Sequence, residues 1–272
     1  MMNAFLLKIK NTYKNEGAPV VLRKIFAFPF KFAWHHIKAQ KRWIFGKLFE
    51  LIKNNRLTYK GVILSFDNNY FQTKDKGNLL FHSPFEENQI LFAEKYLKRN
   101  LPLIELGGCT GVVACVTDKM INNKHIVVEA NPYIIPVLEK NKQVNKSNFV
   151  ILNKALGYKD NIDYYVSTNP VDGGLYKKTP KKISIQGTRL ESLAKDFEQI
   201  NLIVDIEGSE VDLIDNEIDV ISKKVAVLII EFHPIITGET EVKRLVSKLE
   251  KYGLQCVNKK VNDSIFINSN MS

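Results

Sequence analysis

Cysteine is scarce in this chain, with three in 272 residues: Cys109, Cys115 and Cys256. None stands in a C-x-x-C pair. That excludes a disulfide framework and a thiolate zinc site, and leaves small thiols in a reducing compartment as the reading. Long apolar runs are lacking too. In the N-terminal part the longest is Ile25 to Phe30, far short of the roughly 20 apolar residues of a membrane span. No small-residue cleavage site follows a clean apolar core there, so these residues do not read as a secretory signal. Low-complexity tracts and visible repeats are absent, which sets aside disordered and solenoid architectures. What is present suits a folded protein: 45% of residues are hydrophobic and 25% charged, enough for one sizeable core plus an appendage.

Acidic residues are nearly missing from the first sixty positions. Residues 1–60 hold 13 Lys and Arg against 2 Asp and Glu, while residues 61–272 are almost neutral at −1. The net charge of +10 therefore belongs to one segment. Aromatic and basic residues alternate through Phe26–Lys38, and both tryptophans, Trp34 and Trp43, lie in the same segment. From Trp43 to Lys53, apolar residues at 44, 45, 48, 49, 51 and 52 predict an amphipathic helix. Basic residues opposite Trp, Phe and Leu fit a helix lying on an anionic membrane surface. Simple packing on the body and contact with another polyanion are the alternatives. No nucleic-acid-binding motif supports the latter. The expected organisation is a basic helical segment over 1–60 and a catalytic body over 61–272, in a cytoplasmic protein with the option of peripheral attachment at the inner membrane face.

The body alternates strand and helix. Short strands are predicted at Val62–Phe66 and Leu79–Phe81, then a helix opening at Ser83-Pro84. Pro102–Leu106, His125–Glu129, Phe149–Leu152, Leu202–Asp205 and Val225–Phe232 read as strands. Helices are expected after each, at about 110–120, 131–145, 209–222 and 239–252 where the spacing allows them, with two short strands at the end. Several strands are continuous apolar runs, the mark of strands buried on both faces of a mostly parallel sheet. The class is doubly wound α/β. An insertion over Gly157–Ile200 carries two predicted strands around Asp172-Gly-Gly and can form a substrate wall.

One motif carries chemistry. The first of the five strands runs into Glu105-Leu-Gly-Gly-Cys-Thr-Gly111. Glycines at such a turn let a strand bend into a helix while its backbone approaches a ligand closely. Glu129 ends the next strand, where a carboxylate can accept both hydroxyls of a ribose. NAD and S-adenosylmethionine sites share this logic. An acid two residues before the first glycine, and carboxylates suited to a cationic sulfonium, favour S-adenosylmethionine.

Three stretches make the chain resemble the FkbM family of methyltransferases. They are Leu103–Gly111 with His125–Pro132, then Arg189–Leu193 with Leu202–Glu210, then Leu228–His233. The Asp-Ile-Glu-Gly-Ser-Glu run at 205–210 is the most specific part. The resemblance implies a class I, Rossmann-like sheet of seven strands whose last strand is antiparallel. It implies S-adenosylmethionine as methyl donor and a sugar or other hydroxyl acceptor. By position, Glu105, Gly107, Gly108, Gly111, Glu129 and Asn131 become the cofactor residues. The chain departs from the family in having Glu105 for Asp, Gly108-Cys109 for Ala-Asn, and Glu191 for Asp.

Ligands of open α/β sheets bind beyond the carboxyl ends of the strands. Asp205, Glu207 and Glu210 follow one strand there, and Glu231 and His233 follow the next. His233, Asp205 and Glu207 are the expected catalytic groups, with His233 as general base. Asp205 and Glu207 are alternatively ligands for Mg²⁺. The expected function is O-methylation of a glycan or glycolipid. The rival readings are a methyltransferase acting on RNA or protein, and a cofactor-binding scaffold without catalysis.

Overall fold

The structure, a computed structural model, describes residues 43–48, 50–51, 55–66, 73, 76, 86–167, 174–176 and 179–271. The aromatic-basic run at 26–38, the expected strand at 79–81, the Ser83-Pro84 helix start and Asp172-Gly173 lie outside these residues. A helical stretch over 43–48 and 50–51 matches the amphipathic spacing. Its Trp43, Ile44, Leu48 and Leu51 are exposed to solvent. Among the described residues no helix is long and apolar enough to cross a membrane.

A short hairpin comes first, β1 (Arg56–Tyr59) paired antiparallel with β2 (Val62–Ser65). Sequence patterning finds only β2, because β1 is a four-residue, partly charged strand. The hairpin runs across the boundary expected at residue 60. Helix α1 (Glu87–Tyr96) follows. The central sheet is then laid down by β3 (Leu103–Leu106), α2 (Val112–Thr117), β4 (His125–Val128), α3 (Ile135–Asn145) and β5 (Val150–Leu152). β6 (Ala155–Leu156) comes next, and the insertion after it supplies β7 (Asn161–Val166), β8 (Lys181–Thr188) and the short α4 (Leu190–Leu193). The second half is β9 (Ile200–Val204), α5 (Glu210–Lys224), β10 (Val225–Glu231), α6 (Pro234–Thr237), α7 (Glu239–Lys251), β11 (Leu254–Lys260) and β12 (Asp263–Asn268).

The sheet has seven strands in the order β11-β12-β10-β9-β3-β4-β5. From β10 to β5 all neighbours are parallel, while β12 is antiparallel to both β10 and β11. This is the class I methyltransferase arrangement, and the order reverses between β3 and β9. Every residue of β3 and β9 is buried, as continuous apolar runs require. Alternate side chains divide between two cores. Leu103, Val127, Ile203 and Ile229 face one side, and Ile104, Val128, Leu202 and Leu228 the other. Each such side chain contributes about 1.5–3 kcal/mol by leaving water.

Buried polar residues tie the pieces together. Asn141 of α3 accepts from the Ser65 N–H at 2.6 Å and donates to the Thr110 carbonyl at 2.8 Å. It thus joins hairpin, helix and glycine turn. Glu217, in a non-helical kink of α5, accepts from the N–H groups of Leu190 and Glu191 at 2.9 and 2.6 Å. These are open donors at the start of α4. In the insertion, β7 and β8 pair antiparallel, and β6 pairs parallel with the end of β8.

Candidate functional site

The turn after β3 is built around Gly107. Its φ is +96°, and a Cβ there would stand 1.8 Å from the Asp205 carbonyl oxygen. Only glycine fits both the left-handed backbone and that approach. The N–H groups of Gly107 and Gly108 both donate to the Val128 carbonyl, at 2.9 and 3.1 Å, locking the turn against β4. At Gly108 and Gly111 a Cβ would meet the side chains of Val127 at 2.3 Å and Leu138 at 2.5 Å, which would have to shift.

Glu129 stands just beyond β4 and is buried. Its Oε2 accepts the Cys109 N–H at 2.7 Å and its Oε1 accepts the Asn131 N–H at 2.6 Å. Burial pushes its carboxyl up, and those backbone bonds pull it back. Each oxygen keeps a lone pair for a further donor. Asn131 closes an Asx turn by accepting from the Tyr133 N–H at 3.1 Å. It does not cap α3 directly, as that helix begins at Ile135.

These residues wall a cavity of about 240 Å³. Gly107, Cys109, Glu129 and Asn131 line it, with Ile134 and Leu156 as apolar surface. The insertion closes over it with Tyr164, Gly174 and Leu175. Asp205, Ile206 and Glu207 line it as well, with the Asp205 carbonyl directly against Gly107. Of the expected cofactor residues, Gly107, Glu129 and Asn131 reach the cavity. Gly108, Gly111 and Glu105 do not.

Glu105 points to the opposite face of β3 from Leu106, which lines the cavity. It is buried beside His125, Oε2 to Nε2 at 3.6 Å, while the other ring nitrogen lies 3.4 Å from Asp118. Burial raises the Glu105 carboxyl, and His125 partly offsets that. Burial alone would lower the His125 pKa, but Asp118 and Glu105 outweigh it and the net shift is upward. Neither residue is solvated.

The ends of β9 and β10 gather the acids and the histidine. His233 Nδ1 lies 2.8 Å from Glu210 Oε1, and Nε2 lies 3.5 Å from Asp205 and 3.7 Å from Glu207. Asp205 is pushed up to about 8 by burial and by repulsion from Glu231. Burial opposes the charge on His233, but the bond to Glu210 and the charges of Asp205 and Glu207 raise it to about 9. His233 therefore holds its proton more tightly than an ordinary histidine. Ser209 occupies the N-cap of α5 without a side-chain capping bond.

Sequence reasoning missed three members. Gln89 of α1 donates to Asp205 at 3.4 Å and to Glu231 at 3.3 Å. Asp263 of β12 lies opposite Glu231 and accepts from Asn88 at 3.0 Å. Glu86, on the cavity wall, is held well above its usual range by burial and by Asp205. All three are brought in by pairing and packing across the fold, and no local motif marks them.

The residues fit S-adenosylmethionine. Glu129 offers acceptor lone pairs for a ribose, Ile134 and Leu156 offer apolar surface, and the acids suit a cationic sulfonium.

Among solved structures, the chain is similar to the ribosomal protein L11 methylase of Lactobacillus delbrueckii subsp. bulgaricus, at 11% identity over 65% of this chain and 74% of that one, TM-score 0.40. It is also similar to M. jannaschii TYW2 in complex with AdoMet, at 13% identity over 78% and 85%, TM-score 0.39. A third is Aeropyrum pernix fibrillarin with bound S-adenosyl-L-methionine, at 12% identity over 66% and 73%, TM-score 0.40. No curated protein matches the sequence. The family model of the methyltransferase FkbM domain matches residues 105–256, more than half of the chain and all of the site from the glycine turn to His233. The chain belongs to the FkbM family of S-adenosylmethionine-dependent methyltransferases.

Proposed function

We propose that this methyltransferase O-methylates a sugar hydroxyl of a glycan or glycolipid. The observation that carries the reading is one cavity lined both by Glu129 and Gly107 and by Asp205 and Glu207, with His233 paired to those two acids. S-adenosylmethionine supplies an electrophilic methyl group on a cationic sulfur. Glu129 accepts its ribose hydroxyls while keeping its bonds to Cys109 and Asn131. Tyr164 and Leu175 of the insertion keep water from the reacting atoms and hold the acceptor in line. A sugar hydroxyl is a poor nucleophile until its proton leaves, and the cluster at the rim removes that proton. Acids at this rim favour a neutral polyol over RNA, whose phosphates they would repel.

The exposed Trp43, Ile44, Leu48 and Leu51, beside a segment of strong positive charge, support an acceptor presented at an anionic membrane surface. Flotation with anionic vesicles at low salt, lost at high salt, is the expected behaviour; no flotation at either salt removes that part.

The test of the main reading is calorimetric titration with S-adenosylhomocysteine beside NAD, followed by transfer of labelled methyl to a panel of saccharides. Micromolar binding of the first alone, and label in a base-stable methyl ether, are expected. Label in a peptide or RNA acceptor instead would overturn the O-glycan reading.

A further inference from the structure

From the ends of β9 and β10 we infer that Asp205, Glu231 and His233 bind a divalent first-row transition cation. Parallel pairing of β9 with β10 puts Asp205, Glu231 and His233 on one rim. One ligand atom from each lies within 4.8 Å of the others. Atoms bound to a common ion at about 2.1 Å stand roughly 3 to 3.5 Å apart, and His233 Nε2 lies 3.5 Å from Asp205 Oδ1. That separation is too long for a good hydrogen bond and short enough for a shared ion.

Two further observations point the same way. The first is orientation. His233 Nδ1 is held at 2.8 Å by Glu210, which is 1% exposed, so Nε2 is the nitrogen left for a ligand. Metal-binding histidines characteristically give their other ring N–H to a carboxylate. Gln89 bonds Asp205 Oδ2 and Glu231 Oε2, leaving Oδ1 and Oε1 for the ion. The second is a set of buried carboxylate oxygens left without partners. Glu210 Oε2 and Asp263 Oδ1 are buried without a hydrogen-bond partner, and Asp263 pairs with Glu231 across β10 and β12. Among the described residues no lysine or arginine forms an ion pair with Asp205, Glu231 or Asp263. Buried carboxylates in that state call for a cation.

The donor set is one imidazole nitrogen and two carboxylate oxygens. It suits Mn²⁺, Fe²⁺ or Zn²⁺ better than Mg²⁺, which prefers oxygen alone. The proposed set shares Asp205 with the pair expected from sequence for Mg²⁺, Asp205 and Glu207. The role of the ion rests on the proposed O-methylation. Asp205 lines the cavity, so an acceptor hydroxyl beside it reaches the cation and becomes more acidic. Its proton passes to Glu207 on the cavity wall. The oxygen takes the methyl group as the sulfur–carbon bond breaks, its electron pair staying on sulfur.

Full-length protein, stripped with chelator and dialysed, is titrated with Mn²⁺ while the free-ion electron paramagnetic resonance signal is followed. One Mn²⁺ per chain at micromolar concentration is expected, with Mg²⁺ a poor competitor. Glu231→Gln weakens binding at least about tenfold, and Glu210→Gln, which acts through His233, by about 10- to 100-fold. Glu241→Gln, on the surface of α7, leaves it unchanged. No binding below millimolar Mn²⁺, or equal binding by wild type and Glu231→Gln, overturns the site; equal competition by Mg²⁺ overturns the transition-ion assignment. S-adenosylhomocysteine titration of the metal-free protein separates the two readings. If it binds and Mn²⁺ does not, this inference alone fails. If Mn²⁺ binds and it does not, the cation site stands and the proposed function falls.

Discussion

The strand ends that build the site differ in how their charge is settled. At the β4 end, the Glu129 carboxylate is met by two backbone N–H groups at 2.7 and 2.6 Å. At the β9–β10 end, Asp205, Glu207, Glu210 and Glu231 share one histidine and the amide of Gln89. The first end is a finished surface whose geometry is fixed before a ligand arrives. The second is held by few donors and keeps protons or cations close. A fixed end suits recognition of an invariant methyl donor, and an electrostatically open end suits chemistry on an acceptor.

Substitutions at each end should separate these roles. The largest effect is expected for Asp205→Asn, which lowers kcat by about 10²–10⁴ while S-adenosylhomocysteine binding stays within a few-fold. If calorimetry shows binding lost along with turnover, the ends are not independent. Next, Glu129→Ala should weaken S-adenosylhomocysteine binding about 100-fold, the size expected from losing two charge-assisted hydrogen bonds. Glu129→Gln, keeping one acceptor oxygen, should recover part of it. Outside both ends, Glu217→Ala should destabilise the fold by about 2–3 kcal/mol by stranding the Leu190 and Glu191 donors, read from urea denaturation with catalytic constants unchanged.

The smallest effect concerns the buried His125 beneath the glycine turn. Its pKa in the fold lies above the ordinary value, because Asp118 and Glu105 outweigh burial. Its contribution to stability is therefore complete below the unfolded value and lost as pH rises through the folded one. Wild-type stability should fall over that interval relative to His125→Gln. Parallel curves for the two proteins would show that the imidazole is not the charged partner of Glu105.

Much of this was legible in the residues. Continuous apolar runs at 202–204 and 225–230 marked strands buried on both faces, and they are central in the sheet. Gly107 and Glu129 were placed at the cavity by the order strand, turn, helix, strand. Asp205, Glu207 and His233 met on one rim because their strands are neighbours. Elsewhere the signal was too local. Glu105 was read from its spacing to Gly107, but strand alternation turns its side chain to the other face of the sheet. The His233 pKa depends on Glu210, one helix start away, and the partnership of Gln89 with Asp205 spans 116 positions. β1 was lost in the charge of its own segment.

The insertion holds the sheet through few backbone links of its own. With β6, joined to β8 at two positions, it forms a separate three-stranded sheet, yet it contributes Tyr164, Gly174 and Leu175 to the cavity. The central sheet and the insertion are thus separate hydrogen-bonded units that line one cavity. Exchange of residues 157–188 between relatives should redirect acceptor choice while donor affinity stays with the host sheet. A lineage of such enzymes can diversify its substrates by editing this one excursion of the chain.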